Sequence, residues 1–171
     1  MSIKLRALLI SDLDAILEWV PDQEFCLSNG WGIPNNPEKL RAHWTRIITE
    51  PQDDFQRWAI EGMGSILGYA DLELIDWQEQ RASFGIALAR VNWGKGIAAN
   101  AGALMLEHAF VTLNLKRIVA EVHGSNQRSL RLMARLGFVR EGTLRQHETY
   151  RRQKQDVILF GLLRDEYQTR V

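Results

Sequence analysis

The chain has 171 residues with 21 basic and 21 acidic side chains, so its formal net charge at neutral pH is zero. This length suits a single domain over residues 1–171, and an apolar fraction of 46% with 25% charged residues excludes disordered, collagen-like and coiled-coil classes. Neutrality argues against a dedicated nucleic-acid binder, and the longest apolar runs are too short to predict a membrane span.

The first half of the chain predicts a strand, two helices and a three-stranded run. A strand precedes Ser11, which is a candidate N-cap, and Pro21 ends the helix that follows. Asn36 with Pro37 favours the start of a second helix. The segment between these helices predicts an irregular loop with exposed aromatic side chains. The ranges are a strand at 4–10, the loop at 22–36 and strands at 57–61, 66–75 and 81–89.

The second half alternates helices with strands. A long apolar pattern predicts a helix over 94–113, and a second helix over 125–136 stops at Gly137, a residue typical of helix C-termini. Strands are predicted at 117–123, 138–145 and 156–163. This order favours a mixed, mostly antiparallel sheet of about seven strands, flanked by about four helices, in an α/β (α+β) fold.

Charge and cysteine usage add two expectations. Residues 1–90 carry 8 basic and 14 acidic side chains, whereas residues 91–171 carry 13 and 7. Such a split indicates a partner that is itself two-sided, with the acidic half attracting a cation and the basic half an anion. Cys26 is the only cysteine, so we expect no internal disulfide and no cysteine-based metal cluster. A cytoplasmic location fits this, and the N-terminus does not resemble a signal peptide.

A glycine-rich turn between a strand and a helix is the most informative stretch. Residues 93–99 read WGKGIAA, and glycines there allow successive N–H groups to point toward one anion. This stretch does not match the Walker A phosphate-binding loop. A dinucleotide-binding fingerprint is met formally by Gly94, Gly96 and Ala99, with Glu121 22 residues further on. That fingerprint would open a βαβ series, however, and here it follows a strand–turn–strand run.

Two motifs together resemble the GCN5-related N-acetyltransferases. The family's loop, [Q/R]-x-x-G-x-[G/A], is similar to residues 93–98, with Trp93 at the first position. A second signature is similar to residues 126–129 (NQRS) and 135–138 (RLGF). The resemblance covers nearly the whole chain and is strongest to the branch that acetylates the N-termini of ribosomal proteins.

The resemblance implies acetyl-CoA as cosubstrate and no metal. N–H groups of residues 94–99 would hold the pyrophosphate. A splay between strands 81–89 and 117–123 would leave backbone groups for the pantetheine arm. The residues implied in cofactor binding are Ile86, Ala87, Leu88, Trp93, Gly94, Lys95, Gly96, Ile97, Ala98, Ala99 and Asn126.

The resemblance also implies candidates for proton transfer. Many members carry a tyrosine seven residues after the asparagine that protonates the departing thiolate, and Met133 stands there in this chain. Ser129 is the implied substitute, with capping of a helix as the alternative. Glu148, in a predicted loop between the last two strands, is the implied general base, and Glu73 and Glu121 are rivals. His123 is the one histidine that we single out for testing.

The acceptor is the least determined feature. The first loop would line its site, so Phe25 and Trp31 are the candidate substrate contacts. The resemblance favours a protein or peptide N-terminal amine as acceptor. Two alternatives stay open: a small-molecule amine such as a polyamine, an aminoglycoside or an amino-acid-like toxin, and a CoA-binding protein without transfer activity. Nucleic-acid and membrane partners are not expected, and a homodimer stays open.

Overall fold

A single seven-stranded sheet organises the chain in a computed structural model that describes residues 2–29, 31, 36–150 and 152–169. The strand order is β1-β2-β3-β4-β5-β7-β6, and only the β4–β5 pair is parallel. The strands are β1 (Lys4–Ala7), β2 (Gln56–Gly62), β3 (Ser65–Asp76), β4 (Arg81–Leu88), β5 (Arg117–His123), β6 (Val139–Tyr150) and β7 (Gln153–Leu163). The predicted mixed, mostly antiparallel sheet is therefore confirmed.

The described residues form six α-helices where the sequence predicts about four, because two short helices lie in segments without a clear apolar period. They are α1 (Leu13–Leu17), α2 (Gln23–Ser28), α3 (Pro37–Thr49), α4 (Ile97–Glu107), α5 (Gln127–Leu136) and α6 (Arg164–Gln168). The end of α4 continues as a π-helical turn over His108–Thr112. Asn36 caps α3 as predicted, since its side chain accepts a hydrogen bond from the N–H of Lys39 at 3.0 Å.

Strand alternation divides the core between the two faces of the sheet. On one face, α4 and α5 cover Ile60, Leu72 and Ile118. On the other face, the segment from α1 to α3 covers a smaller cluster built around Trp44 and Tyr69. Both faces are thus packed, and the functional cleft has to open within the sheet itself.

Three local predictions are wrong in instructive ways. Ser11 is not the helix cap, because Ile10–Asp12 form a 3-10 turn in which Asp12 accepts the N–H of Leu9 at 2.8 Å. The helix predicted from residue 94 begins at Ile97, since Gly94 and Gly96 both have positive φ. Glu148 lies in β6 and pairs with Gln155, not in a loop. The residues around Glu148 are polar because β6 is largely exposed, so their pattern does not indicate a strand.

Candidate active site

The cleft opens where β4 and β5 separate. These strands pair in parallel at Arg81–Arg117, Ala82–Ile118 and Ser83–Val119 and share no paired residues beyond that point. The predicted splay is therefore present. Two cavities occupy the opening, one of about 610 Å³ and one of about 260 Å³. We call the larger one the long groove and the smaller one the acidic cavity.

The long groove collects almost all the residues that the resemblance assigns to the cofactor. Its lining takes residues 86–88 from β4, the turn before α4 and the exposed side of α5. Lys95 is the exception: its side chain is exposed and it does not line the groove, although Gly94 and Gly96 on either side do. The predicted residues that line it are Ile86, Ala87, Leu88, Trp93, Gly94, Gly96, Ile97, Ala98, Ala99 and Asn126.

The turn before α4 has the backbone geometry of an anion site. Gly94 and Gly96 have φ of 74° and 76°, which L side chains rarely adopt, and Gly96 is the N-cap of α4. The first N–H groups of a helix have no partner within it, and the helix dipole makes that end electropositive. The groove therefore ends on a set of donors suited to a phosphate.

Trp93 fixes this turn to the sheet and to α5. Its indole Nε1 donates to the carbonyl of Leu88 at 2.8 Å, and the Arg128 guanidinium lies 3.9 Å from the ring centroid. Arg128 also donates to Glu24 of α2 at 3.1 Å. Arg131 and Arg135 follow Arg128 along the groove. The side of α5 that lines the groove is thus basic, which favours a polyanionic ligand.

The acidic cavity is assembled from six strands and two helices. Asp71 and Glu73 come from β3, Glu121 from β5 and Glu148 from β6. Ser129 lines both the acidic cavity and the long groove. Ser28, Asn29, Ile86 and Asn126 also line both, so the two spaces are adjacent along these residues.

Asn126 and Ser129 lie at the junction of the two spaces, whereas Met133, which stands where many family members have tyrosine, lines the acidic cavity but not the long groove. Asn126 caps α5 by accepting the N–H of Ser129 at 3.1 Å, so its capping role is real, and it also lines both spaces. Met133 lines the acidic cavity and is 3% exposed. A thioether has no proton to give, so Met133 cannot replace the tyrosine of the family.

An ion pair forms one wall of the acidic cavity. Arg57 donates from Nε and Nη2 to the two carboxylate oxygens of Asp71, at 2.7 and 2.6 Å. Asp71 is 3% exposed. Burial raises the pKa of Asp71 to about 6 against the opposing effect of Arg57. The guanidinium also lies 4.5 Å from the ring centroid of Trp44 and 4.4 Å from that of Tyr69.

His123 contacts Glu148, the residue predicted to be the general base. His123 Nε2 lies 2.5 Å from Oε2 of Glu148, and both residues line the acidic cavity. The imidazole packs on the ring of Tyr150, with centroids 5.2 Å apart. The Tyr150 hydroxyl lies 3.4 Å from that of Ser28 in α2. The acidic cavity and its rim therefore have a connected set of polar groups from β5, β6 and α2.

The two predicted acceptor aromatics are not exposed side chains. Phe25 has no exposed surface, so the prediction that it contacts substrate is wrong. Asp22 caps α2 by accepting the N–H of Phe25, and the Phe25 ring packs in the core against Trp19 and Trp31. Trp31 is half-buried against Phe25 and Trp44, and its Nε1 donates to the Tyr69 hydroxyl at 3.1 Å. Residues 30 and 32–35 of the predicted acceptor loop lie outside the described residues.

Several residues of the site were missed in the sequence. Tyr69 and Asp71 alternate with buried apolar residues of β3 and line the same cavity as Glu73. The spacing Tyr-x-Asp-x-Glu could have indicated this, because alternate residues of a strand lie on one face. Arg57 and Ser28 have no such local signal. Their positions depend on strand pairing and on the placement of α2.

Two kinds of feature are absent from the described residues. They contain no group of three or more histidine, cysteine or carboxylate side chains arranged to hold a metal ion. No helix among them is both long and apolar enough to cross a membrane.

The family follows from comparison with known proteins. The family model described as the acetyltransferase (GNAT) domain matches residues 2–139, which is most of the chain. The chain belongs to the GNAT acetyltransferase family. Its membership makes acetyl-CoA the cosubstrate and N-acetyl transfer the reaction, in agreement with the expected cofactor.

Two curated relatives of this GNAT chain are N-acetyltransferases named as uncharacterized. The p20 protein of Bacillus licheniformis is 38% identical over 102 residues, which are 60% of the chain and 57% of that protein. The prophage-derived YokL protein of Bacillus subtilis is 28% identical over 98% of the chain and 93% of its own length. The chain therefore spans little more than half of p20 but nearly all of YokL.

A solved structure with a defined amine is also similar. The spermidine N-acetyltransferase of Vibrio cholerae, in complex with CoA and spermine, superposes with a TM-score of 0.87 at 25% identity, over 97% of this chain and 98% of that one. YdaF of Bacillus subtilis, provisionally named a ribosomal N-acetyltransferase, is 29% identical over 61% of the chain and 57% of its own length. The ribosomal branch implied by the sequence motifs is thus not confirmed, and the small-amine alternative has the better support.

Proposed function

We propose that the protein transfers the acetyl group of acetyl-CoA to a primary amine of a small polycation of the polyamine class. The observation that carries this proposal is the acidic cavity, in which carboxylates meet the end of a CoA-sized groove at Ser129. The similarity to a spermidine N-acetyltransferase over nearly the whole chain supports it.

The long groove is proposed to bind acetyl-CoA. The N–H groups around Gly94 and Gly96 would hold the pyrophosphate, and Arg128, Arg131 and Arg135 would lie along the remaining negative charge. The pantetheine arm would run beside residues 86–88, whose edge is left open by the splay. This arrangement brings the thioester toward the junction of the two spaces.

The acidic cavity is proposed to bind the acceptor. Glu73 and Glu121 would attract an ammonium group, while the charge of Asp71 is largely balanced by Arg57. A polyamine retains a second cation after its reacting nitrogen is deprotonated, so it gains more from such a cavity than a monoamine does. A peptide N-terminus usually has a single charge at that end.

The chemistry is direct transfer. The amine nitrogen attacks the thioester carbonyl, the carbon–sulfur bond breaks, and the sulfur needs a proton. We propose that the Ser129 hydroxyl delivers it, because Ser129 lies at the junction and Met133 cannot donate. A backbone N–H of β4 near Leu88 would polarise the carbonyl oxygen.

The test is an acceptor screen that follows thiol release from acetyl-CoA. Its arms are spermidine, spermine, a monoamine of similar length, an aminoglycoside and a peptide with N-terminal alanine. We expect kcat/KM to be at least about tenfold higher for the polyamines than for the monoamine, a difference of about 1.4 kcal/mol. This preference for polyamines should become smaller with added salt, because salt screens the charges of the cavity.

Other results would have definite meanings. A preference for the peptide would replace the polyamine class by a protein N-terminus, and CoA binding without turnover of any amine would leave a binding protein. The Glu73→Gln/Glu121→Gln double variant should lose the polyamine preference. Glu79→Gln, which removes a charge from the exposed turn after β3, is the matched control.

A further inference from the structure

We propose that His123 accepts the proton of the acceptor ammonium, with Glu148 as its carboxylate partner, and passes that proton to a second, outer cavity. The inference rests on the proposed acetyl transfer, but it concerns how the site removes a proton and not which amine is bound. It changes the expected role of Glu148 from base to partner of the base.

The contact between the two side chains is the first observation. An ionised carboxylate can only accept hydrogen bonds, so at 2.5 Å the imidazole Nε2–H donates to Oε2 of Glu148. In the neutral ring this leaves Nδ1 unprotonated and able to take a proton. The carboxylate then stabilises the imidazolium that forms, as it does in catalytic triads.

The position of His123 between two spaces is the second observation. An outer cavity of about 440 Å³ lies against the end of β5, lined by Tyr150, Gln153 and Gln155 from the β6–β7 hairpin and by the residues that lead into α5. Glu148 lines only the acidic cavity, whereas His123 lines both. A proton taken from the acidic side therefore has a polar exit on the other side.

Other charged or titratable side chains also line the two cavities that meet at His123. The other charged or titratable side chains of the acidic cavity are Arg57, Tyr69, Asp71, Glu73 and Glu121. Those of the outer cavity are Glu24, Arg128, Arg131 and Tyr150. Asp71 is paired with Arg57, and Arg128 with Glu24, so among the charged groups of the two cavities Glu148 is the one that contacts the His123 ring through an ion pair.

The proton balance is complete with the groups named. A primary ammonium loses one proton to Nδ1 of His123, and the freed lone pair attacks the acetyl carbon. The carbon–nitrogen bond forms and the carbon–sulfur bond breaks, with its electron pair going to sulfur. A second N–H proton reaches the sulfur through Ser129, while the proton on His123 leaves to water in the outer cavity. The net products are the acetamide, CoA thiol and one proton.

The test compares His123→Gln with His147→Gln, a change at an exposed histidine of β6 that lines none of these cavities. We expect His123→Gln to lower kcat about 100-fold or more with little change in the KM for acetyl-CoA, and to remove the acid limb of the kcat–pH profile. Imidazole added to His123→Ala should restore part of the rate. His147→Gln should match the parent chain.

A second measurement does not depend on turnover. The Nε2 nitrogen resonance of His123 should shift in Glu148→Gln and stay in place in Glu121→Gln, which removes a carboxylate from the same cavity. An unchanged resonance in Glu148→Gln would overturn the pairing. An unchanged kcat and pH profile in folded His123→Gln that still binds CoA, or a change in KM alone, would overturn the proton route. If no amine is acetylated by the parent chain, acetyl transfer itself fails, and the resonance still decides the pairing.

Discussion

Arg57 of β2 faces Asp71 of β3 directly across the sheet and binds its carboxylate through two hydrogen bonds. The pair forms a wall of the acidic cavity, yet it contributes little net charge to it. A buried ion pair is weak evidence for stability by itself, because desolvation offsets most of the attraction. Removing one partner of the pair lowers stability much more, since the remaining charge stays buried.

The Arg57→Gln variant should therefore be strongly destabilised. Asp71 would lose its partner while staying buried, at a cost of about 3–5 kcal/mol in the free energy of unfolding. Chemical denaturation at neutral pH measures this. Arg46→Gln, in an exposed position of α3, should change it by less than about 0.5 kcal/mol. Equal stability of the two variants would show that Asp71 does not need Arg57.

The Gly96→Asp variant tests the anion site. Aspartate tolerates positive φ better than most residues, but it brings a negative charge to the turn that we assign to the pyrophosphate. We expect the CoA affinity to fall by at least about tenfold, seen as a lost rise in the melting temperature on adding CoA.

Gly64→Asp is the matched control for this experiment. Gly64 has φ of 75° in the β2–β3 turn, and like Gly96 it has no atom within 4 Å of an added Cβ. Both variants should thus carry similar backbone strain. Loss of the CoA response in both, or in neither, would contradict the site.

Ser129 and Met133 can be tested together. Ser129→Ala should lower kcat by about 10–100-fold while CoA still raises the melting temperature. Adding Met133→Tyr should recover part of the rate, because this position lines the acidic cavity and holds the acid in many family members. Ser65→Ala, at the exposed start of β3, is the control. A Ser129→Ala enzyme with normal kcat would exclude the Ser129 hydroxyl as the proton donor.

Acid should destabilise the fold through Asp12. Two hydrogen bonds from Arg6, at 2.7 and 2.8 Å, and one from the N–H of Leu9 hold the pKa of Asp12 below its usual 3.8. The unfolded chain then binds more protons around that pH, so the contribution is fully present above about pH 4 and is lost as pH falls through the folded pKa.

Asp12→Asn should accordingly lower the free energy of unfolding by about 1–3 kcal/mol at pH 7. The difference from the parent chain should shrink as pH falls below 4. Asp14→Asn is the control, because the Asp14 side chain is 85% exposed and its ion pair with Arg41 is a surface pair. Parallel stability curves for parent and Asp12→Asn chains across the acid range would contradict the assignment.

The sequence by itself determined the seven strands and four of the six helices, and its resemblance to the acetyltransferase family implied the cosubstrate. Local rules suffice for these elements: Asn36 and Gly137 mark helix ends through their own capping chemistry, and Gly94 and Gly96 mark a turn that needs positive φ. Local rules failed where context decides conformation. Glu148 lies among polar residues but pairs with β7, and Phe25 lies in a polar segment but its ring packs in the core against Trp19 and Trp31.

Only the tertiary structure decided the composition of the acidic cavity. The acidic and basic halves of the chain do not become two faces, because Glu121 and Glu148 from the basic half join Asp71 and Glu73 in one cavity. That meeting depends on the strand order β3-β4-β5-β7-β6, which pairs residues far apart along the chain. The contact of His123 with Glu148 has the same origin, since β5 and β6 both pair with β7. Hydrophobic periodicity fixes which face a side chain takes, but the register between strands fixes which other side chains it meets.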